Sequence, residues 1–585
     1  MANDPHTLSK PDQVIIEHID LDLVIDFDQK QISGTAAYKI RNLSGADRFV
    51  LDTNNLQIRH VRCNDQSSES AFRLHPRVAH LGQALEISIL PTTEVVTIEY
   101  ATTPDSGALQ WLDPAQTRDQ KYPFFYTQSQ AILARTWIPC QDTPSVRMTY
   151  NARVRVPSEL LAVMSAENPI ARNESGVYQF RMPQPIPSYL LALAVGDVEF
   201  RSTGERTGVY AERSLVDKAA WEFAQTPKMM ETIEALYGPY RWGRYDILVL
   251  PPSFPWGGME NPRLTFVTPV LIAGDRSLVA TIAHELAHSW SGNLVTNASW
   301  NDFWLNEGFT NYLTHRIMEA LYGEDYGNML SVLSMQDLQR EVRELGAQSP
   351  DTHLKLSLEG RDPEEGVTAI AYEKGEFFLR TLETAVGRPR FDSFLKQYFQ
   401  TFAFQSIDTE RFIRYLEEQL PESRGFNVTG WIYNPGIPQN IIGVRSNAFQ
   451  QVELQLGEWM KGKPAKDLST AGWTTHHWIH FIRNLPLSLT QAQLSELNEA
   501  FDFRNSKNAE IKNEWLQQVI ARNYQPDFPE IEKFLSAQGR RKYVKLIMSQ
   551  LARTPDGKQM AREIFERVRP LYHTLTREVA ERVLR

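Results

Sequence analysis

The sequence predicts a multidomain α+β protein, in which an all-β domain, a mixed α/β domain and an array of helices follow one another along the chain. Three observations predict this. Two-residue alternation dominates residues 14–195, strand and helix patterns mix from about residue 219 to 420, and helical segments with short joins fill the rest after about Trp459. At 585 residues the chain is too long for one core. The expected divisions are 1–196, 197–434, a linker at 435–458, and 459–585.

In the first part Ile19, Leu21, Leu23, Ile25 and Phe27 alternate with Asp20, Asp22 and Asp26, the pattern of a strand with one wet face. Turn clusters at 42–45 and 104–107 separate further runs, Val154 and Val156 alternate with Arg153 and Arg155, and 189–194 is continuously apolar. This reads as a sandwich or a saddle-shaped sheet. In the second part residues 227–237 predict a helix capped by Thr226 and closed by Gly238-Pro239, and 245–250 predict a buried strand bounded by Pro251-Pro252. Residues 277–290 lack Pro and Gly and carry Leu278, Ile282 and Leu286 at helical spacing, with Asp275 or Ser277 as cap and Gly292 as stop. A second helix is expected over 301–321, capped by Asn301 or Asp302 and stopped by Gly323, and others over 375–386 and 409–420. Pro435, Gly436 and Pro438 mark the linker. Beyond it Thr490 and Gln493 form a capping box, and helices are expected over 508–522, 527–538, 542–551 and 559–567. Many helices with short joins predict antiparallel pairs stacked as an α-helical solenoid.

An apolar fraction of 42% and a charged fraction of 23% are those of a soluble globular protein. A net charge of −10 argues against nucleic acid as partner, because phosphate binding needs a basic footprint. Residues 1–6 show no leader pattern and no run reaches transmembrane length, so no membrane is expected. Cys63 and Cys140 are far apart in sequence and suggest no disulfide framework, which points to a reducing, cytoplasmic setting. A monomer is expected.

Chemistry concentrates at His284-Glu285-Leu286-Ala287-His288. On a helix this spacing puts two imidazoles one turn apart on one face, where both reach one zinc ion, with Glu285 between them as general base. Glu307 in the next helix is a third ligand, and two His with one carboxylate leave an open position, the count of a catalytic site. The bare pattern would arise by chance in roughly 2 of 100 such chains, so the surroundings must carry the reading. Upstream, Trp256-Gly257-Gly258-Met259-Glu260-Asn261 sets two glycines before an acid, which suggests backbone lying close to another group, a ligand being one candidate.

With these residues in place, the chain resembles the zinc aminopeptidase family that includes aminopeptidase N and leukotriene hydrolase, and is closer to the leukotriene hydrolase branch. The carriers are His284-Glu285-x-x-His288 with eighteen residues to Glu307, Gly257 to Asn261, Trp304-Leu305-Asn306-Glu307-Gly308, residues 139–146 and Ala371-Tyr372-Glu373-Lys374-Gly375. The resemblance covers about residues 120–545 and implies a thermolysin-like fold for the second domain. It implies a metallo-aminopeptidase holding one zinc per chain through His284, His288 and Glu307, with Glu285 as base and Tyr372 as hydrogen-bond donor to the oxyanion.

The resemblance further implies that Glu260, in the Gly257, Gly258, Met259, Glu260, Asn261 stretch, holds the substrate's free amine. Gln130, with Gln128, is implied as a second amine anchor. Arg540 and Lys542 match a basic pair that holds the carboxylate of short peptides, so di- to tetrapeptides are the expected substrates. Three positions depart from the leukotriene hydrolase pattern: Glu364 stands for an aspartate, Val367 for a tyrosine, and Trp256 for a tyrosine. These changes leave peptide hydrolysis intact and argue against lipid-epoxide hydrolysis, which remains the alternative: a bifunctional enzyme opening epoxides on the same zinc.

Overall fold

The computed structural model describes residues 4–64 and 69–585. Residues 1–3, part of the stretch read above for a leader, lie outside them.

The alternation at the start of the chain becomes strand Val14–Asp26, whose Ile19, Leu21, Leu23 and Ile25 are buried. It pairs antiparallel with Gln31–Asn42 and parallel with Met148–Arg155, inside a six-stranded sheet. Parallel neighbours need a long crossover. Within this one, Arg48–Thr53, Gln83–Ser88 and Phe72–Leu74 form a three-stranded sheet, while Leu109–Leu112 and Phe124–Thr127 join a four-stranded one. The domain is thus all-β, with its strands divided among three sheets. The apolar run at 189–194 splits into a 3-10 turn, Ser188–Leu190, and strand Leu193–Gly196. That strand pairs with Phe124–Thr127, which ends one residue before Gln128.

A new five-stranded sheet begins at Val198–Ser202. Thr207–Glu212, Tyr245–Val249 and Leu264–Val267 run parallel in it, and the short strand Gly258–Met259 closes one edge antiparallel. That edge packs against helix Ala280–Ala287, so the sheet delivers the Gly258-Met259-Glu260 stretch to the histidines.

Thr226 is not the expected cap but the first residue of its helix, its hydroxyl donating to the Phe223 carbonyl at 2.7 Å. The expected caps of two later helices are not caps either. Asp275 accepts the Ser277 N–H at 2.9 Å and the Ser277 hydroxyl accepts a hydrogen bond from Thr475, so the helix starts only at Ala280. Asn301 accepts the Leu358 N–H at 2.9 Å, and buried Asp302 binds Lys355, Thr409 and Ser299. The helix therefore begins after a 3-10 turn, at Trp304, and stops at Gly323 as expected. In both places a short polar side chain ties distant loops together instead of closing its own helix.

Half of the expected linker is helix. Ser446 caps Asn447–Met460 through the Phe449 N–H at 3.3 Å, and Phe449, Val452 and Trp459 bury its inner face. The irregular connection is confined to residues 434–446. Beyond it the capping box of Thr490 and Gln493 forms. Alternate helices stack in a row, Thr475–Arg483 on Ala509–Ala521, then Arg541–Leu551, then Thr574–Leu584. One buried apolar cluster runs through the first two domains, and two more fill the helical array, one of them shared with Met329 and Leu333 of the second domain. Among the described residues no helix is long and apolar enough to cross a membrane. Cys63 and Cys140 are both free and buried.

Candidate active site

His284 and His288 leave the helix Ala280–Ala287 on one face, with His288 as its C-terminal cap residue. Their Nε2 atoms are 3.2 Å apart. Glu307, in the first turn of helix Trp304–Tyr322, brings Oε2 to 3.3 Å from His284 Nε2 and 3.4 Å from His288 Nε2. That buried oxygen has no hydrogen-bond partner among the described residues. Two imidazole nitrogens and a carboxylate converging on one point fit a zinc ion with N, N and O donors.

Polar neighbours orient these donors. His288 Nδ1 lies 2.9 Å from the Ser291 carbonyl, with the Thr310 hydroxyl at 3.1 Å. The Nδ1–H therefore points to Ser291 and leaves the Nε2 lone pair for the metal. His284 faces the Asn311 side chain, which Glu373 holds at 3.1 Å. Sequence reading missed Ser291, Thr310, Asn311 and Glu373. A signal existed for two of them, because Thr310 and Asn311 stand three and four residues after Glu307 and so share its helix face.

The pocket is crowded with carboxylates. Glu260, Glu285 and His288 bring ligand atoms within 4.8 Å of one another, next to the His284, His288 and Glu307 group. Glu260 and Glu285 are each 4% exposed, and each has a buried oxygen without a partner. Burial pushes Glu260 up to about 7 and Glu285 well above the usual carboxylate range. Burial opposes charge on His288, yet Glu260 and Glu307 raise it to about 10. Three carboxyl groups crowd two imidazoles here, and a divalent cation with an ammonium group would favour their ionised forms.

At the two glycines before Glu260 the backbone approaches neighbouring groups closely, as expected. A Cβ on Gly258 would fall on the Glu285 carboxylate, and one on Gly257 would sit 2.9 Å from Arg540 Nη2. The backbone lies close to two side chains of the site. Met259 is held by Gln128, whose Nε2 lies 3.2 Å from its sulfur, and the Glu260 carbonyl accepts the Asn293 Nδ2 at 2.7 Å. Asn261 is buried beside them.

Tyr372 lies in a π-helical turn, Ile370–Lys374, and its ring stacks on His284 at 6.1 Å. Burial first, and then Glu307, Glu260 and Glu285, lift its hydroxyl well above the ordinary phenol value, so it keeps its proton as a donor. Gln130 is buried and its side-chain amide makes no hydrogen bond to protein among the described residues. Arg540 reaches Gly257 from the helical array, with Nη1 bound to Glu510 at 2.6 Å and to Tyr543 at 2.7 Å. Lys542 stands further out, 3.6 Å from Glu510 and 40% exposed at its side chain. Residues of all three domains meet here, Gln128 at Met259 and Arg540 at Gly257, with Lys542 the more exposed member of the basic pair.

The same three-part order appears in comparisons with known proteins. Residues 16–190 match the Peptidase M1 N-terminal domain, 221–431 the Peptidase family M1 domain, and 473–584 the Leukotriene A4 hydrolase C-terminal domain. The Leukotriene A-4 hydrolase of Xenopus laevis is 37% identical over 603 residues, covering 98% of each chain. The chain belongs to peptidase family M1. Within it, the chain carries the leukotriene A4 hydrolase C-terminal domain. Leucine aminopeptidase 2 of Sclerotinia sclerotiorum is 34% identical, covering 100% of both chains. A yeast leukotriene A4 hydrolase solved in complex with bestatin superposes with a TM-score of 0.91 at 32% identity, covering 100% of this chain and 97% of that one. Membership of this family makes the protein a zinc metallopeptidase of aminopeptidase type.

Proposed function

We propose that this M1 peptidase releases N-terminal amino acids from short peptides, with one zinc per chain held by His284, His288 and Glu307. The observation that carries the reading is Glu260, a buried carboxylate within 4.8 Å of Glu285 and His288 and without a partner for Oε1. It fits a substrate ammonium, and an ammonium held at a fixed short step from the hydrolytic groups makes the enzyme cut one residue from the amino end. Zinc, when bound, supplies a Lewis acid that acidifies water and polarises a carbonyl.

Glu285 takes the proton of the attacking water and delivers it to the leaving amine. Tyr372 donates a hydrogen bond to the oxyanion as it develops. Gln130 and Gln128 supply amide groups beside the amine, Gln128 through its hold on Met259. Gly257, Gly258 and Asn261 shape the floor that carries Glu260. Arg540, with the more exposed Lys542, receives the peptide carboxylate, which favours di- to tetrapeptides. The enzyme acts as a monomer in the cytoplasm, where buried free Cys63 and Cys140 stay reduced.

The alternative, epoxide opening on the same zinc, draws on the name of the Xenopus relative. Against it, Glu364, which stands for the aspartate of that step, has both oxygens occupied by Ala131 and Arg541. A panel of aminoacyl-arylamides and tripeptides tests the proposal, with zinc stoichiometry measured before and after chelation. Release of N-terminal residues that stops on chelation supports it, and inert aminoacyl substrates with zinc at one per chain would overturn it.

A further inference from the structure

Glu364 sits where the three domains meet. Its Oε1 accepts the N–H of Ala131, the residue after Gln130, at 3.0 Å. Its Oε2 accepts Arg541 Nη1 at 3.0 Å, and Arg541 Nη2 reaches the Glu364 carbonyl at 3.4 Å. The Arg541 guanidinium also lies 4.9 Å over the Trp256 ring, and the Arg541 N–H donates to the Pro255 carbonyl at 2.8 Å. Asp362 fixes the turn that presents Glu364, accepting its N–H at 3.0 Å. Both members of the ion pair are buried.

A buried ion pair is a poor stabiliser, because desolvation offsets its attraction; its better-attested use is to fix one arrangement against others. Each arm of this pair ends one residue from a substrate-facing position. Ala131 follows Gln130, Trp256 precedes Gly257, and Arg541 follows Arg540. We infer that the Glu364–Arg541 pair is a positioning clamp that holds the Gln130 loop in register with Glu260 and ties that register to Arg540, without touching substrate itself. The inference rests on the aminopeptidase reading, in which Glu260 and the Gln130 loop receive the amine.

The test measures direct binding of two hydroxamates to the zinc-loaded protein by calorimetry. Leucine hydroxamate carries the amine and benzohydroxamate does not, while both reach the metal. Glu364→Gln keeps an oxygen for the Ala131 N–H and removes the charge, so it serves as the conservative variant beside Arg541→Met and the double variant. Each single variant is expected to weaken leucine hydroxamate by roughly ten- to a hundredfold, the scale of a misplaced contact, and to leave benzohydroxamate within about twofold. KM for aminoacyl-arylamides rises in parallel while kcat changes little. The double variant loses no more than the worse single one, since both groups act as one clamp. Equal weakening of the two ligands, no weakening, or additive losses in the double variant would overturn the clamp while leaving the aminopeptidase reading standing. A wild-type protein that binds both hydroxamates alike overturns the amine-anchoring reading, and the clamp with it.

Discussion

At the scale of single residues the site divides labour between carboxylates that look alike on paper. Glu307 is aimed at both imidazoles, whereas Glu260 and Glu285 gather with His288. Glu285→Gln keeps the shape and all three metal donors but removes the base. Its kcat should fall by about 10² to 10⁴, with zinc content unchanged by atomic absorption. A variant that turns over at the wild-type rate contradicts the role given to Glu285. Glu260→Gln should instead act on recognition. Losing a charge-assisted hydrogen bond to the ammonium is worth about 1.5–3 kcal/mol, so kcat/KM for aminoacyl-arylamides should drop roughly ten- to a hundredfold. Epoxide opening has no amine to lose, and if assayed in the same variant it should change far less; an equal loss in both reactions argues against an amine anchor.

Elements are held at distances that a single methyl group would upset. Helix Trp304–Tyr322 carries Glu307 and helix Gly375–Val386 follows the turn bearing Tyr372. They touch at Gly308 and Gly375, where a Cβ on Gly308 would come 2.6 Å from the Gly375 Cα. Gly308→Ala forces backbone apart, at a typical overpacking cost of about 1–3 kcal/mol. The melting temperature and kcat should fall together, and an unchanged melting temperature refutes the close contact. Lys374 fixes the same turn from behind, fully buried, with Nζ on the Thr352 carbonyl at 2.8 Å and the Asn434 carbonyl at 2.9 Å. Burial pushes it down to about 7, whereas an unfolded lysine holds its proton to about pH 10.4. Between those values the unfolded chain binds more protons, so this group makes stability rise with pH, by up to about 1.4 kcal/mol per unit. Below that window both states are protonated and the burial penalty is fully felt. Urea midpoints at pH 7, 8 and 9 should show the wild type gaining on Lys374→Met; a constant difference contradicts the assignment.

Across the whole molecule, what the sequence displayed was whatever local periodicity and short motifs encode. The alternation of Ile19 to Ile25, the spacing of His284 and His288, and the Thr490 capping box are contacts within a few residues, and all three are found as read. Ser277, Asn301 and Asp302 looked like caps because a cap signal says nothing about a more distant partner that competes for the side chain. The bond from Glu364 to Arg541 spans 177 residues and leaves no local trace. The same long-range assembly makes the helical array part of the site: Arg540 lies against Gly257, while Gly539 and Arg541 donate backbone hydrogen bonds to Pro252 and Pro255. With Nη1 occupied by Glu510 and Tyr543, Nη2 is the atom turned to Gly257. If it receives the peptide carboxylate, Arg540→Ala should raise KM for tripeptides by roughly ten- to a hundredfold, the worth of one charge-assisted hydrogen bond. Aminoacyl-arylamides lack that carboxylate and should keep their KM, so the ratio of the two substrates separates recognition from misfolding. A parallel loss on both would mean that Arg540 only supports the Gly257 backbone, and that peptide length is set elsewhere.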